Sequence, residues 1–222
     1  MAIMLTSLAL AVFLAPAWSA QAVELKLSAL EKAAIHLNLA ILYAREGYDP
    51  KAEREFLEAL SILPDFSLAR NQLAGFYADR GRRNEAAAEL KEAVRQDPQD
   101  TESHFDLARL YYLGGLHADA VAESEIVLRQ NPSSLPAQNL IGNIRFAQGK
   151  LDEAERAYLK TLAINPNYAP AHNDLGNLYA KRGRVDSARA EFLRALQLDP
   201  NLELAKRNLA LLPKKPSAKA AP

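Results

Sequence analysis

A 34-residue period constrains this chain more than any other feature. Gly47, Gly81, Gly115, Gly149 and Gly183 stand at that spacing, as do Pro64, Pro98, Pro132, Pro166 and Pro200. Ala52, Ala86, Ala120, Ala154 and Ala188 keep it too. So do an apolar column (Leu39, Leu73, Leu107, Ile141, Leu175) and a small one (Ala40, Ala74, Ala108, Gly142, Gly176). Independent residue types in one phase imply a single supersecondary unit used five times, each burying its apolar face against its neighbours.

Each column has a physical reason. With Ala33, Ser67, Thr101, Leu135 and Ala169 as first positions, apolar residues recur at three- and four-residue intervals for about fourteen positions, which predicts a helix. The glycine at position fifteen lets the chain leave that helix in a left-handed conformation. A second helix follows, carrying its alanine where the two helices approach closely. The proline at position thirty-two lacks an N–H and ends it. The units are 33–66, 67–100, 101–134, 135–168 and 169–202. Ser28 and Glu31 form a capping box, so residues 23–32 read as an N-terminal helix extension. Residues 203–213 stay in phase and read as one capping helix, with Glu203, Lys206 and Arg207 on its outer side. The tail 214–222 is basic, poor in hydrophobes and read as disordered.

The first twenty residues, MAIMLTSLALAVFLAPAWSA, contain no charged side chain. An apolar run, Pro16 and small residues at Ala20 and Ala22 read as a signal peptide over 1–22, leaving Val23 first. The alternative is an uncleaved anchor in the inner membrane over residues 2–20, since about 20 apolar residues span a bilayer. Either reading places the remainder outside the cytoplasm, in a bacterial periplasm. With 27 basic and 27 acidic residues the formal charge is zero. No broad field draws nucleic acid or anionic membrane, so neither is an expected partner, and the membrane enters only through an uncleaved N-terminal segment. The chain has no cysteine, which removes disulfides, thiolate nucleophiles and cysteine metal sites.

The fifth unit, APAHNDLGNLYAKRGRVDSARAEFLRALQLDPNL, carries Leu175-Gly176, Tyr179, Gly183, Ala188, Phe192, Ala195 and Pro200. In order and spacing it resembles the tetratricopeptide repeat, and the resemblance covers residues 33 to 202. It implies an all-α fold, a right-handed α-solenoid of five helix-turn-helix repeats plus a C-terminal capping helix. The family's favoured tryptophan at position four is replaced by His36, Arg70, His104, Gln138 and His172, and Arg145 stands where the other units have tyrosine. Ser124 and Thr161 dilute the aromatic and small columns of the second helices. The middle of the array is therefore expected to pack less tightly than its ends.

The chain shows no signature of catalysis. Phosphate loops and the G-x-G-x-x-G, G-x-S-x-G and H-E-x-x-H patterns are missing, so no enzyme activity and no cofactor are expected. His36, His104 and His172 lie in alternate units, about 16–20 Å apart at ordinary helix packing distances. Metal–histidine bonds are about 2.1 Å, so they cannot share an ion, and no metal site is expected. Each ring reads as partly buried in an aromatic slot, and His117 as solvated in a turn. Asp152 and Glu153 sit in the first turn of a second helix, where negative charge suits the helix dipole.

The resemblance further implies that the first helices line a concave groove through positions two, five, six, nine and twelve. Those positions hold Asn38 and Ile41, then Leu68, Asn71 and Gln72. Next come Phe105, Asp106, Arg109 and Tyr112, then Asn139, Asn143 and Phe146, and last Asn173, Asp174 and Asn177. A side-chain amide both donates and accepts, so a ladder of amides pairs with a peptide backbone of any sequence. Phe105, Tyr112 and Phe146 would seat apolar side chains. The candidate partner-binding residues are Asn38, Asn71, Gln72, Phe105, Arg109, Tyr112, Asn139, Asn143, Phe146, Asn173 and Asn177, and the expected partner is a protein or peptide. The expected role is that of a scaffold or adaptor in assembly or maturation of an envelope or exported complex. The alternative is a permanent structural subunit using its convex face.

Overall fold

A computed structural model describes residues 27–213. The segments read above as a signal peptide over 1–22, or an anchor over 2–20, and as a basic tail over 214–222 lie outside the described residues. Eleven helices follow one another within them: α1 (Ala29–Arg45), α2 (Asp49–Ile62), α3 (Ser67–Asp79), α4 (Arg83–Gln96), α5 (Thr101–Leu113), α6 (His117–Gln130), α7 (Leu135–Ala147), α8 (Leu151–Ile164), α9 (Ala169–Lys181), α10 (Val185–Leu198) and α11 (Glu203–Leu211).

The boundaries fall where the local chemistry puts them. Ser28 caps α1 in a reciprocal box with Glu31, whose carboxylate accepts from the Ser28 N–H at 2.8 Å. Gly47, Gly81, Gly115, Gly149 and Gly183 all adopt φ between 73° and 78°, the left-handed region closed to most L-residues. His117 is the first residue of α6 rather than a turn residue, and its ring lies 6.3 Å from that of Tyr112.

Within each unit the small residue at position eight meets the residue at position twenty-four. Gly142 faces the Tyr158 ring and Gly176 faces Phe192, in both cases where a Cβ would collide. Where position twenty-four shrinks to Ser124, its hydroxyl turns back to the Ala120 carbonyl at 2.7 Å. Thr161 does the same to Ala157 at 3.1 Å, so both polar residues are buried without an orphaned hydroxyl.

The slot at position four is polar, not aromatic. Nδ1 of His36, His104 and His172 lies 2.7, 2.6 and 2.7 Å from Glu55, Glu123 and Glu191 of the paired second helix. Nε2 of His104 and His172 reaches the Pro98 and Pro166 carbonyls. Arg70 spans the same two acceptors, Glu89 and the Pro64 carbonyl. In the second, third and fifth units the side chain in tryptophan's place ties the hairpin to the end of the unit before it. Gln138 breaks the series, because Ala157 stands where its acid would be, and its Oε1 is buried without a partner.

The junctions between units are of two kinds. At the first, Arg82 stacks 4.3 Å over the Tyr77 ring and donates to Glu53 at 2.7 Å, while Arg80 pairs with Asp49 at 2.8 Å. At the fourth, Arg184 stacks 4.2 Å over Tyr179, and Arg182 donates to Glu155 at 2.5 Å and also pairs with Asp152. The two middle junctions place Leu116 and Lys150 where those stacking arginines stand, facing Ala87 and Val121 instead of glutamates. Stacked arginine clamps thus stand at the outer junctions, while at the second the Lys91 ammonium lies 5.7 Å from the centre of the Tyr111 ring.

Odd-numbered helices touch one another across junctions (α1–α3, α5–α7, α7–α9, α9–α11), whereas each even-numbered helix packs on odd-numbered ones. That puts the first helices on the inside of the bend. At the open end, Leu39 is 36% exposed, while Leu73, Leu107 and Leu175 in the same column are buried. At the other end α11 buries Ala205 against the fifth unit and turns Glu203, Lys206 and Arg207 outward, with Leu204 and Leu211 exposed beside them.

Candidate partner-binding groove

The eleven candidate residues all lie on odd-numbered helices, but they divide by what their side chains already do. Asn38, Gln72 and Arg109 are exposed, and Asn177 is half-buried. Arg109 pairs with Asp106 at 2.9 Å one turn back on α5. Phe105 and Tyr112 are half-buried, with one face of each left to the groove. Phe146 packs against the Tyr158–Leu175–Leu178 cluster and carries the Lys181 ammonium 4.9 Å over its ring.

The remaining amides are tied into the protein. Asn139 and Asn173 are buried, and each hydrogen-bonds 35 residues ahead, from position five of one unit to position six of the next. Asn139 Nδ2 donates to Asp174 at 2.7 Å, and Asn173 Oδ1 accepts from Asn208 of α11 at 3.0 Å. Asn71 joins the second unit to the third, accepting from the Ser103 hydroxyl at 2.7 Å and donating to Asp100. Asn143 accepts from the Tyr158 hydroxyl at 2.7 Å. The floor of the groove is therefore a spine of interunit hydrogen bonds, and the free amides stand above it. Burial pushes the Tyr158 hydroxyl and the Asp174 carboxyl both above their usual ranges.

Of the clefts along this face, two gather several of the candidate residues. One of about 280 Å³ is lined by Phe105, Arg109, Tyr112, Pro136, Asn139 and Asn143, with Tyr168 at its edge. The other, about 420 Å³, lies between the first three units and takes in Ile41, Asn71, Gln72, Gly75, Glu102 and Asp106. Five of the candidate residues share the smaller cleft, and two share the larger. Sequence reasoning missed Tyr168 and Tyr158. Tyr158 did carry a signal, being a tyrosine in a column of Phe56, Leu90, Ser124 and Phe192, whose hydroxyl needs a partner when buried. Among the described residues no group of three or more His, Asp or Glu side chains is placed to hold a metal ion, and no helix is long and apolar enough to cross a membrane.

Repeat models described as tetratricopeptide repeat match residues 77–144 and 169–202, and one described as TPR repeat matches 142–183. The chain belongs to the tetratricopeptide-repeat family. Solved structures share its solenoid. The crystal structure of MamA protein is 26% identical, over 82% of this chain and 99% of that one, with a TM-score of 0.63. TTC0263, a thermophilic TPR protein in Thermus thermophilus, is 24% identical over 80% and 97%, with a TM-score of 0.65. YrrB, described as a TPR protein with an unusual peptide-binding site, is 20% identical over 81% and 92%, with a TM-score of 0.58. No curated protein sequence matches the chain. The architecture is that of a protein-interaction scaffold.

Proposed function

We propose that the protein is an exported adaptor that holds an extended segment of a partner protein along its concave groove, in the assembly or maturation of an envelope complex. The observation that carries this reading is the cleft of about 280 Å³ shared by Phe105, Arg109, Tyr112, Asn139 and Asn143. Its aromatic walls and amide floor suit an alternation of apolar side chains and peptide groups. The free amides of Asn38, Gln72 and Asn177 stand along the same face to meet a backbone. Export rests on the N-terminal sequence alone, and intact-mass measurement on the secreted protein tests it. A chain lacking the first 22 residues is expected, and full-length protein in the membrane fraction would favour the anchor.

Affinity capture from an envelope fraction tests the groove. Gln72→Ala/Asn177→Ala protein is expected to lose the partner that wild-type protein retains. Arg156→Ala/Lys160→Ala protein, altered on the convex side, is expected to keep it. The reverse pattern would move the reading to a structural subunit bound through its convex face.

A further inference from the structure

One carboxylate, Asp174, lies directly behind the smaller cleft, and its surroundings are one-sided. Its Oδ2 accepts from Asn139 Nδ2 at 2.7 Å and its Oδ1 accepts from Asn173 Nδ2 at 3.1 Å, with the Asn143 amide close by. The orientations of two of these amides are fixed from the other side. The Asn143 oxygen accepts from Tyr158 and the Asn173 oxygen from Asn208, so both NH₂ groups must face the carboxylate. No lysine, arginine or histidine among the described residues forms an ion pair with Asp174. At the same position two units earlier, Asp106 has Arg109. The Asn139 oxygen, on a residue 5% exposed that lines the cleft, has no hydrogen-bond partner at all.

Acceptors therefore exceed donors at this point of the groove. Buried polar atoms left unpaired are costly, and a lone carboxylate out of water more so. The complement is a group that brings several N–H donors and a positive charge. A divalent ion would ask for more than one carboxylate, and the site has one. Arg109, the charged side chain that lines the cleft, is already paired with Asp106 and leaves Asp174 uncompensated.

We propose that the groove selects a partner segment bearing an arginine or lysine, whose cationic group pairs with Asp174 and the Asn139 oxygen while flanking residues lie on Phe105 and Tyr112. This inference rests on the groove reading above. Burial holds the Asp174 carboxyl above its usual range, so a cation arriving beside it relieves a cost that the empty groove carries.

The test uses soluble nine-residue peptide mixtures with the central residue fixed in turn as arginine, lysine, citrulline, glutamine or glutamate and the other positions randomised. Each is passed over the immobilised protein. The arginine and lysine mixtures are expected to be retained about 10- to 100-fold better than the citrulline and glutamine ones, as a charge-assisted hydrogen bond implies. Asp174→Asn protein, checked for fold by thermal unfolding, is expected to bind all mixtures alike. Equal retention of every mixture by wild-type protein, or an unchanged cationic preference in folded Asp174→Asn, overturns the cationic assignment and leaves the groove reading intact. Retention of none overturns both. Should Asp174→Asn not fold, arginine against citrulline on wild-type protein decides the matter, since the two differ in charge and hardly in shape.

Discussion

The ring of Phe192 fills the space that a side chain on Gly176 would need, for a methyl carbon there falls 2.6 Å from Cε1. Phe192 is buried, so making room for it displaces packed neighbours as well. Gly176→Ala gains up to about 1 kcal/mol of helix propensity. Against that, overpacking costs about 1–3 kcal/mol, so a net loss of stability is expected. Gly75, in the equivalent stretch of α3, has nothing within 4 Å of its missing Cβ. Gly75→Ala should therefore stabilise by about 0.5–1 kcal/mol. Opposite signs in denaturant midpoint check the pair; a shared sign contradicts the packing assigned to Phe192.

The position-four bridge gives a second expectation. Arg70 is nearly buried and relies on Glu89. Removing the acid by Glu89→Ala should cost about 3–5 kcal/mol, the penalty for stranding a buried charge. In the fourth unit the bridge can be built. Gln138→Arg alone should destabilise, and adding Ala157→Glu should recover it, with a coupling of about 0.5–3 kcal/mol in a double-mutant cycle. Additive effects would show that the two positions do not meet as their counterparts do.

Asn143 and Asn177 hold the same place in adjacent units yet should respond differently. Asn143→Ala takes its partner from the buried Tyr158 hydroxyl, so unfolding should move by about 1–3 kcal/mol along with binding. Asn177→Ala removes a free amide. Its stability should stay within about 0.5 kcal/mol of wild type, while partner affinity falls roughly 2- to 12-fold, one hydrogen bond's worth. Calorimetric unfolding beside a binding isotherm separates the two.

Acid should loosen the outer junctions first. The Arg80 guanidinium holds Asp49 below its usual range and Arg82 does the same for Glu53; at Glu155 burial pushes upward but the hydrogen bonds from Arg182 and Tyr179 prevail. A carboxyl lowered in the folded state stabilises fully above its unfolded value, near about 4, and that contribution disappears as pH falls through the lowered folded value. Stability measured from about pH 7 down to about pH 2 should therefore drop, and should drop less in Arg82→Gln/Arg182→Gln protein. Parallel curves would mean these pairs contribute nothing to the acid response.

Deleting residues 203–222 removes Ala205 from its packing and Asn208 from Asn173, uncovering the end of the fifth unit. Self-association is expected in sedimentation velocity, because solenoids need capped ends. A truncated protein that stays monomeric and equally stable would show that α11 is no cap.

Much of the fold could be read from the chain because its punctuation acts locally. A glycine that must take positive φ, or a proline without an N–H, does so whatever its neighbours are, which is why the turns at Gly47 through Gly183 fall where the period puts them. The groove was legible only as a set of positions. Whether Asn139 or Asn177 is free depends on what stands 35 residues further along, and there Asp174 meets Asn139 across a junction. Amides that look alike in the sequence thus separate into spine and surface. His36, His104 and His172 were placed in an aromatic slot for the same reason, since the glutamate each one meets lies on another helix, 19 residues away.

The uneven distribution of the arginine clamps has a mechanical consequence. A superhelix bends as a spring does, by small rotations summed over its junctions, and each junction is as stiff as the contacts that resist rotation there. Charge-assisted, stacked contacts at the first and fourth junctions resist it by geometry. At the second, hydrogen bonds between Asn71 and both Asp100 and Ser103, with the Lys91 ammonium over the Tyr111 ring, stand in place of stacked arginines. Resistance to bending is thus supplied by different chemistry along the array, guanidinium stacks at its two ends and amide and ammonium contacts at the second junction.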